Sequence, residues 1–171
     1  MITPNELKNL PDEFKDENYK FRTFLKNRVK EKTLDKQFLK LHNELLKYYN
    51  CESCRNCCKE YSLALKEQEL ESVAKLLQIS KDEFINKFVK DFFGEYELKG
   101  KPCQFLNSDN SCQIESCKPE CCVSYPHTNK PDRLSSLLGI IDSSFVCPVV
   151  FEMIESLKEE YGFKSNFDFG L

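Results

Sequence analysis

Four cysteines within eight residues constrain this chain more than any other feature of its sequence. They are Cys51, Cys54, Cys57 and Cys58, in the pattern C-x2-C-x2-C-C. A C-x2-C turn brings two sulfur atoms to one metal ion, which is why this spacing recurs in zinc sites. Three cysteines at successive spacings of three also match three ligands of a cubane iron–sulfur cluster. The motif therefore predicts a metal site, and its spacing leaves the choice of metal open.

Adjacent Cys57 and Cys58 are hard to place on one metal ion, because neighbouring side chains usually point apart. We expect one of the two to serve a second site or a different corner of a cluster. The alternative is that Cys58 is a small, buried apolar residue.

The chain has ten cysteines in 171 residues, and a second set follows the motif at wider spacings. Ligands this scattered converge only through folding, so the metal site is expected to stabilise the domain as well. The second set consists of Cys103, Cys112, Cys122 and Cys147.

Two cysteines and two histidines remain outside this set. Cys121 lies beside Cys122 and could exchange roles with it, whereas Cys117 is expected to be a free thiol. Of the two histidines, His127 is the better candidate to bind the metal, or to hydrogen-bond to a residue that binds it. His42 falls within a helical pattern and is expected at the surface.

Cellular location separates a metal site from a disulfide framework. The N-terminal sequence MITPNELKNLPDEFKDENYK has no apolar core segment and no cleavage site of a secretory signal. No apolar run approaches the roughly 18 residues of a membrane span. We therefore expect a cytoplasmic protein whose reduced thiols bind metal. The disulfide alternative predicts no bound metal and no free thiols.

The composition argues against nucleic acid as a partner and is sufficient for an apolar core. Apolar residues make up 40% of the chain, with fourteen Phe and seven Tyr, so a core can form without crosslinks. The net charge of -3 argues against nucleic-acid binding through bulk charge. We expect a metal ion or cluster as the partner, with no nucleic acid and no membrane.

The periodicity of apolar residues predicts a mainly helical α+β fold, with several helices around a cysteine-rich metal-binding core and a short β-hairpin. Residues 1–18 are expected to form a polar arm with at most one short helical turn. Residues Phe21 to Tyr49 are expected to form one long amphipathic helix, or two helices meeting near Thr33. The further elements expected are a helix at 70–77, a helix capped by Ser80 and running to Phe92, a hairpin pairing 103–106 with 112–114, and a last helix from Pro148 to Tyr161. A protein partner could dock on the Phe21–Tyr49 stripe, although core packing is its expected use.

These elements predict three parts of the chain. Residues 1–50 are expected to form the N-terminal arm and the long amphipathic helix. Residues 51–150 form the cysteine-cluster metal-binding domain, and residues 151–171 form a C-terminal helix and tail packed on that same domain.

The order of eight cysteines resembles the YkgJ-type CxxCxxCC family, also described as the putative zinc- or iron-chelating domain. The resemblance covers about residues 50–150. It begins with the C-x2-C-x2-C-C motif and continues through five shorter matches. These are Pro102-Cys103-Gln-Phe-Leu106, Cys112-Gln-Ile114, Pro119-x2-Cys122, Tyr125-Pro126 and Cys147-Pro148. The family usually has a Tyr after the Ile and an Arg before the Pro, where this chain has Glu115 and Lys118.

The resemblance implies chelation of zinc or of an iron–sulfur cluster, with 4Fe-4S as one form, in a structural or accessory redox or metal-handling role. The flagellin lysine N-methylases are similar in their cysteine signature. They imply the alternative of an S-adenosylmethionine-dependent protein-lysine methylase-like enzyme or its accessory. Only five glycines and no Gly-rich turn after a strand give that alternative little support. No catalytic residue is assigned.

Overall fold

The computed structural model describes residues 2–163, which form two compact units. One unit contains the described parts of residues 1–50 and 126–171, and the other is residues 51–125. The predicted division differs, because it keeps residues 51–150 in one domain, whereas the chain returns to the first unit at Pro126. The predicted packing of the tail beyond residue 163 lies outside the described residues.

The chain is mainly helical α+β with a small antiparallel sheet, which confirms the predicted fold class. The elements of residues 1–65 are α1 (Pro4–Lys8), α2 (Glu13–Arg28), α3 (Glu31–Leu45), α4 (Cys51–Cys54), α5 (Asn56–Glu60) and β1 (Ala64–Leu65). The remaining elements are α6 (Glu67–Leu76), α7 (Lys81–Phe88), β2 (Val89–Phe92), β3 (Glu95–Leu98), a 3-10 helix (Glu115–Cys117), α8 (Glu120–Val123), α9 (Arg133–Ser144) and α10 (Pro148–Glu160).

The N-terminal segment contains more helix than the single short turn expected of the arm, because α1 spans Pro4–Lys8 and α2 already begins at Glu13. Pro4 occupies the first turn of α1, where its missing N–H costs nothing, and Thr3 caps that helix through a capping box with Glu6.

The segment that follows forms two helices, which was one of the two alternatives predicted for it. α2 ends at Arg28, the next residue Val29 has an extended backbone, and this junction lies a few residues before Thr33.

The first unit buries one stripe of each of its long helices. Phe14, Phe21 and Leu25 recur on one face of α2 and are almost completely buried, and Leu34 and Phe38 do the same in α3. Helix α9 packs against α2, α3 and α10. These contacts give the first unit an apolar core that needs no crosslink.

The second unit is built on a three-stranded antiparallel sheet in the order β1-β3-β2. The register pairs Ala64 with Glu97 and Val89 with Leu98. Helices α6 and α7 pack against each other, and α7 packs against β2. The core between these elements contains Leu65, Leu70, Val73, Phe84, Val89, Leu98, Phe105 and Ile114, and it also provides the surface on which several cysteines pack.

The regular hairpin of the structure, β2–β3, was not predicted, whereas the predicted hairpin is formed only in part. Helix α7 ends at Phe88, and the chain then turns at Phe93 and Gly94, both with positive φ, to form β2 and β3. The apolar residues at 88, 89 and 92 suit a helix and a strand equally, which is why periodicity misassigned them. In the predicted hairpin, residues 103–114, one antiparallel bridge joins Leu106 to Cys112.

Within residues 2–163, no individual helix has the length and apolar content needed to cross a membrane. Helices α9 and α10 meet those two criteria only when taken together, and they are bent by 119° relative to each other.

Candidate metal centre

Nine of the ten cysteines belong to the unit formed by residues 51–125. The tenth, Cys147, belongs to the first unit, where it is 7% exposed and immediately precedes α10. None of the ten cysteines forms a disulfide in this structure, so each keeps a sulfur atom that can bind a metal.

The C-x2-C-x2-C-C motif folds into two very short helices. Helix α4 carries Cys51 and Cys54, and helix α5 carries Cys57 and Cys58. Arg55 separates them in a left-handed backbone conformation with φ of 48°. Cys51 is exposed, whereas the other three thiols of the motif are half-buried. The break at Arg55 thus divides the motif into two pairs.

Cys57 and Cys58 are neighbours in α5, and a hydrogen bond between their side chains is the main cause that lowers the pKa of Cys58 to about 6. The positive charges of Arg55 and Lys118 lower that pKa further, whereas partial burial opposes the shift. Cys58 is therefore more readily deprotonated than an ordinary cysteine, as a metal ligand must be. The expectation that one of the two serves a second site or a different corner of a cluster stays a prediction.

Cys103 and Cys112 approach the motif from the following segment. The backbone N–H of Cys103 donates to the carbonyl oxygen of Cys58 at 2.8 Å. Burial raises the pKa of the Cys103 thiol, and negative charge at Cys58 and at Cys112 raises it further. Three thiols from separate parts of the sequence are thus close enough to influence one another's ionisation.

Helix α8 brings a second adjacent pair to the same region. A hydrogen bond with Cys121 is the main cause of a strongly raised pKa at Cys122, and burial and negative charge at Cys121, Cys58 and Cys57 add to it. The Cys121 thiol donates to the carbonyl oxygen of Ala64 at 3.1 Å. The predicted ligand set does not include Cys121, although the adjacency of Cys121 to Cys122 in the sequence is a signal for including it.

Three charged side chains form a network beside these thiols. Arg55 donates to the Glu52 carbonyl at 3.0 Å and to the Glu115 carboxylate at 2.9 Å. Lys118 also pairs with Glu115, and the two cations lower the pKa of that carboxyl, Lys118 more strongly. The positions where this chain departs from the usual family residues, Glu115 and Lys118, therefore contact each other directly.

The two histidines lie in the first unit. His42 is half-buried, and its Nδ1 lies 2.8 Å from the hydroxyl of Thr128, so it is not the surface residue expected. His127 has a positive φ of 60°, and its carbonyl accepts a hydrogen bond from Arg133 at 3.0 Å. Neither residue belongs to the unit that holds nine of the cysteines.

The donor chemistry suits zinc, iron or an iron–sulfur cluster, since all three bind thiolates. Within the part of the chain that the structure describes, no three His, Cys, Asp or Glu side chains already adopt an arrangement that could hold a metal ion. Metal binding by thiolates that come from separate segments adds to the stability of the folded state, because such ligands meet only in the folded chain.

Residues 50–143 match the family model CxxCxxCC, which is described as "Putative zinc- or iron-chelating domain". This segment is more than half of the chain and contains the whole 51–125 unit, but it ends before Cys147. No curated protein and no solved structure matches the chain.

Proposed function

Because the chain belongs to the CxxCxxCC family of zinc- or iron-chelating domains, we propose that it binds a zinc or iron centre through cysteine thiolates of residues 51–125. The proposed ligands are the thiols of Cys51, Cys54, Cys57, Cys58, Cys103, Cys112 and Cys122, which all belong to this unit. One observation carries the proposal: thiols far apart in the sequence converge on Cys58. Cys103 and Cys122 lie within electrostatic range of Cys58, and the backbone N–H of Cys103 donates to the Cys58 carbonyl at 2.8 Å.

The surrounding charges favour thiolate ligands over other donors. Several thiolates around one zinc ion or iron–sulfur cluster leave the site negatively charged. Arg55 and Lys118 place two positive charges beside Cys58, and Arg55 also acts on Cys112. The unit therefore supplies cations that can offset the charge of a thiolate-bound centre.

Burial supports a structural or accessory role for the centre. Cys103 is 9% exposed, and Cys54, Cys57, Cys58, Cys112 and Cys122 are half-buried. Cys51 is the one exposed thiol of the proposed set. A centre bound mostly by buried or half-buried thiols suits fold stabilisation, electron transfer or metal storage, whereas a catalytic metal needs an open coordination position for substrate. A calorimetric titration with S-adenosylmethionine tests the methylase-like alternative, and measurable binding would contradict the accessory role.

Metal analysis of the whole chain, purified without oxygen and without added metal, tests the proposal. We expect near-stoichiometric zinc or iron. Iron together with sulfide and a visible absorption band identifies an iron–sulfur cluster, whereas colourless protein with zinc identifies a zinc site. Protein that contains neither metal, and takes up neither on reconstitution, would overturn the proposal.

Serine variants locate the centre within the chain. Cys58→Ser is expected to lose most of the bound metal, because hydroxyl oxygen is a poor ligand for these metals and Cys58 interacts with three other proposed ligands. Cys117→Ser is the matched control, since Cys117 is a half-buried thiol of the same unit outside the proposed ligand set. Full metal content in Cys58→Ser would exclude the motif as the site.

A further inference from the structure

We propose that Arg55 is a positioning residue of the metal centre, which ties the C-x2-C-x2-C-C segment to the Cys112–Lys118 segment and holds thiolates of both by its charge. This inference rests on the proposed function of the same site. It concerns a side chain that supplies no ligand atom.

The backbone conformation of Arg55 indicates that its side chain makes stabilising contacts. A left-handed conformation is adopted most readily by glycine and asparagine, and arginine is unfavourable there. The conformation is nevertheless required, because the chain must break between α4 and α5 to present two pairs of cysteines. Contacts of the arginine side chain must therefore compensate for its backbone strain.

Those contacts connect two distant segments. The Arg55 side chain is 10% exposed. Its Nε binds the Glu52 carbonyl within the motif, and its terminal nitrogen binds Glu115, which is 60 residues away. Lys118 pairs with the same carboxylate. A buried guanidinium shared between two segments in this way fixes their separation better than a flexible ammonium would.

The charge of Arg55 reaches cysteines on both sides of this connection. It acts on Cys51 and Cys58 in the motif and on Cys112 in the other segment. Lys59 follows Cys58 directly in the sequence, but it is exposed, so water and salt screen its charge. Burial, rather than closeness in sequence, therefore distinguishes Arg55 from Lys59.

Titration of the reduced, metal-free whole chain with Co²⁺, followed by the thiolate-to-cobalt charge-transfer band, tests this role. Arg55→Met is expected to weaken binding by about 10- to 100-fold, the usual effect of losing a group that supports metal ligands. The band should also move to lower energy, because a thiolate that has lost a neighbouring positive charge gives up electron density more readily. Arg55→Lys should recover part of the affinity and the band position, since it keeps the charge.

Lys59→Met is the matched control, because it removes an exposed positive charge beside the same cysteine. It should bind Co²⁺ as the unmodified chain does. Unchanged affinity in Arg55→Met, or losses in Arg55→Lys equal to those in Arg55→Met, would overturn the positioning role. An unmodified chain that binds neither Co²⁺ nor Zn²⁺ would instead overturn the proposed function, so the two failures can be told apart.

Glu115→Gln keeps the test decisive if Arg55→Met does not fold. This variant retains Arg55 but removes the carboxylate that joins the two segments. We expect a loss of Co²⁺ affinity that is smaller than that of Arg55→Met, with helix content by circular dichroism unchanged. Affinity equal to that of the unmodified chain would contradict the proposed connection.

Discussion

Lys158 of the first unit is only 2% exposed, although it carries a charge. Its ammonium group lies 2.7 Å from the carboxylates of both Glu17 and Glu155 and over the ring of Phe14. A cation buried this deeply is tolerated because two carboxylates replace its water. The side chain therefore joins α10 to α2 through charges within an otherwise apolar core.

Lys158→Met is expected to destabilise the chain by about 3–5 kcal/mol, because it leaves Glu17 buried without its cation. Urea denaturation followed by circular dichroism measures the loss. Lys20→Met, on the exposed face of α2, serves as the control and should change stability by less than about 0.5 kcal/mol. Equal midpoints for the two variants would show that the buried ion pair does not contribute.

The cysteines show what can be predicted at the scale of single residues. Their spacing identified the motif and its thiolate chemistry, because ligand type follows directly from residue type. Spacing could not predict that Cys57 and Cys58 share a hydrogen bond, or that Cys121 does the same with Cys122. Both depend on how a short helix is oriented by the packing around it, and that information is not local.

The β2–β3 hairpin carries strain that a substitution can relieve. Its two turn residues are Phe93 and Gly94, with φ of 57° and 88°. This pair of positive values suits a two-residue hairpin turn, in which asparagine is preferred at the first position. Phe93 is fully exposed, so its ring gains nothing from burial.

Phe93→Asn is therefore expected to stabilise the chain by up to about 1 kcal/mol, since asparagine adopts a left-handed backbone at lower cost. Thermal or urea denaturation of the metal-free protein detects the gain. Phe92→Asn is the comparison, because Phe92 is also exposed but lies in regular strand β2, where asparagine is disfavoured. A loss of stability in Phe93→Asn would mean that the turn is not strained as described.

The same hairpin shows where elements could not be predicted. The sequence predicts the position of a helix well where residues mark its ends. Helix α10 begins at Pro148, as predicted, and is followed by Gly162 with positive φ. Ser80 likewise caps α7 through the N–H of Glu83. Beyond Phe88 the apolar pattern fitted a helix, and only pairing with β3 makes residues 89–92 a strand. That pairing is a tertiary contact, which a local pattern does not contain.

At the scale of the whole molecule, the two units differ in what holds them together. The first unit has long helices with deeply buried aromatic and aliphatic stripes. The second has short helices and short strands, and cysteines pack against its core. Short elements bury little apolar surface each, so a bound metal is expected to add more to the stability of the second unit than to that of the first.

Hydrogen exchange measured by mass spectrometry, on the metal-loaded chain and after a strong chelator, tests this difference. Binding at one hundred times the dissociation constant stabilises the state that binds by about 2.7 kcal/mol, which corresponds to roughly 100-fold slower exchange of amides that open with that state. Peptides of residues 51–60 and 103–122 should therefore exchange faster after chelation, whereas those of α2 and α3 should not. Equal acceleration across α2 and the cysteine segments would show that the metal stabilises both units alike and would contradict a centre confined to these thiols.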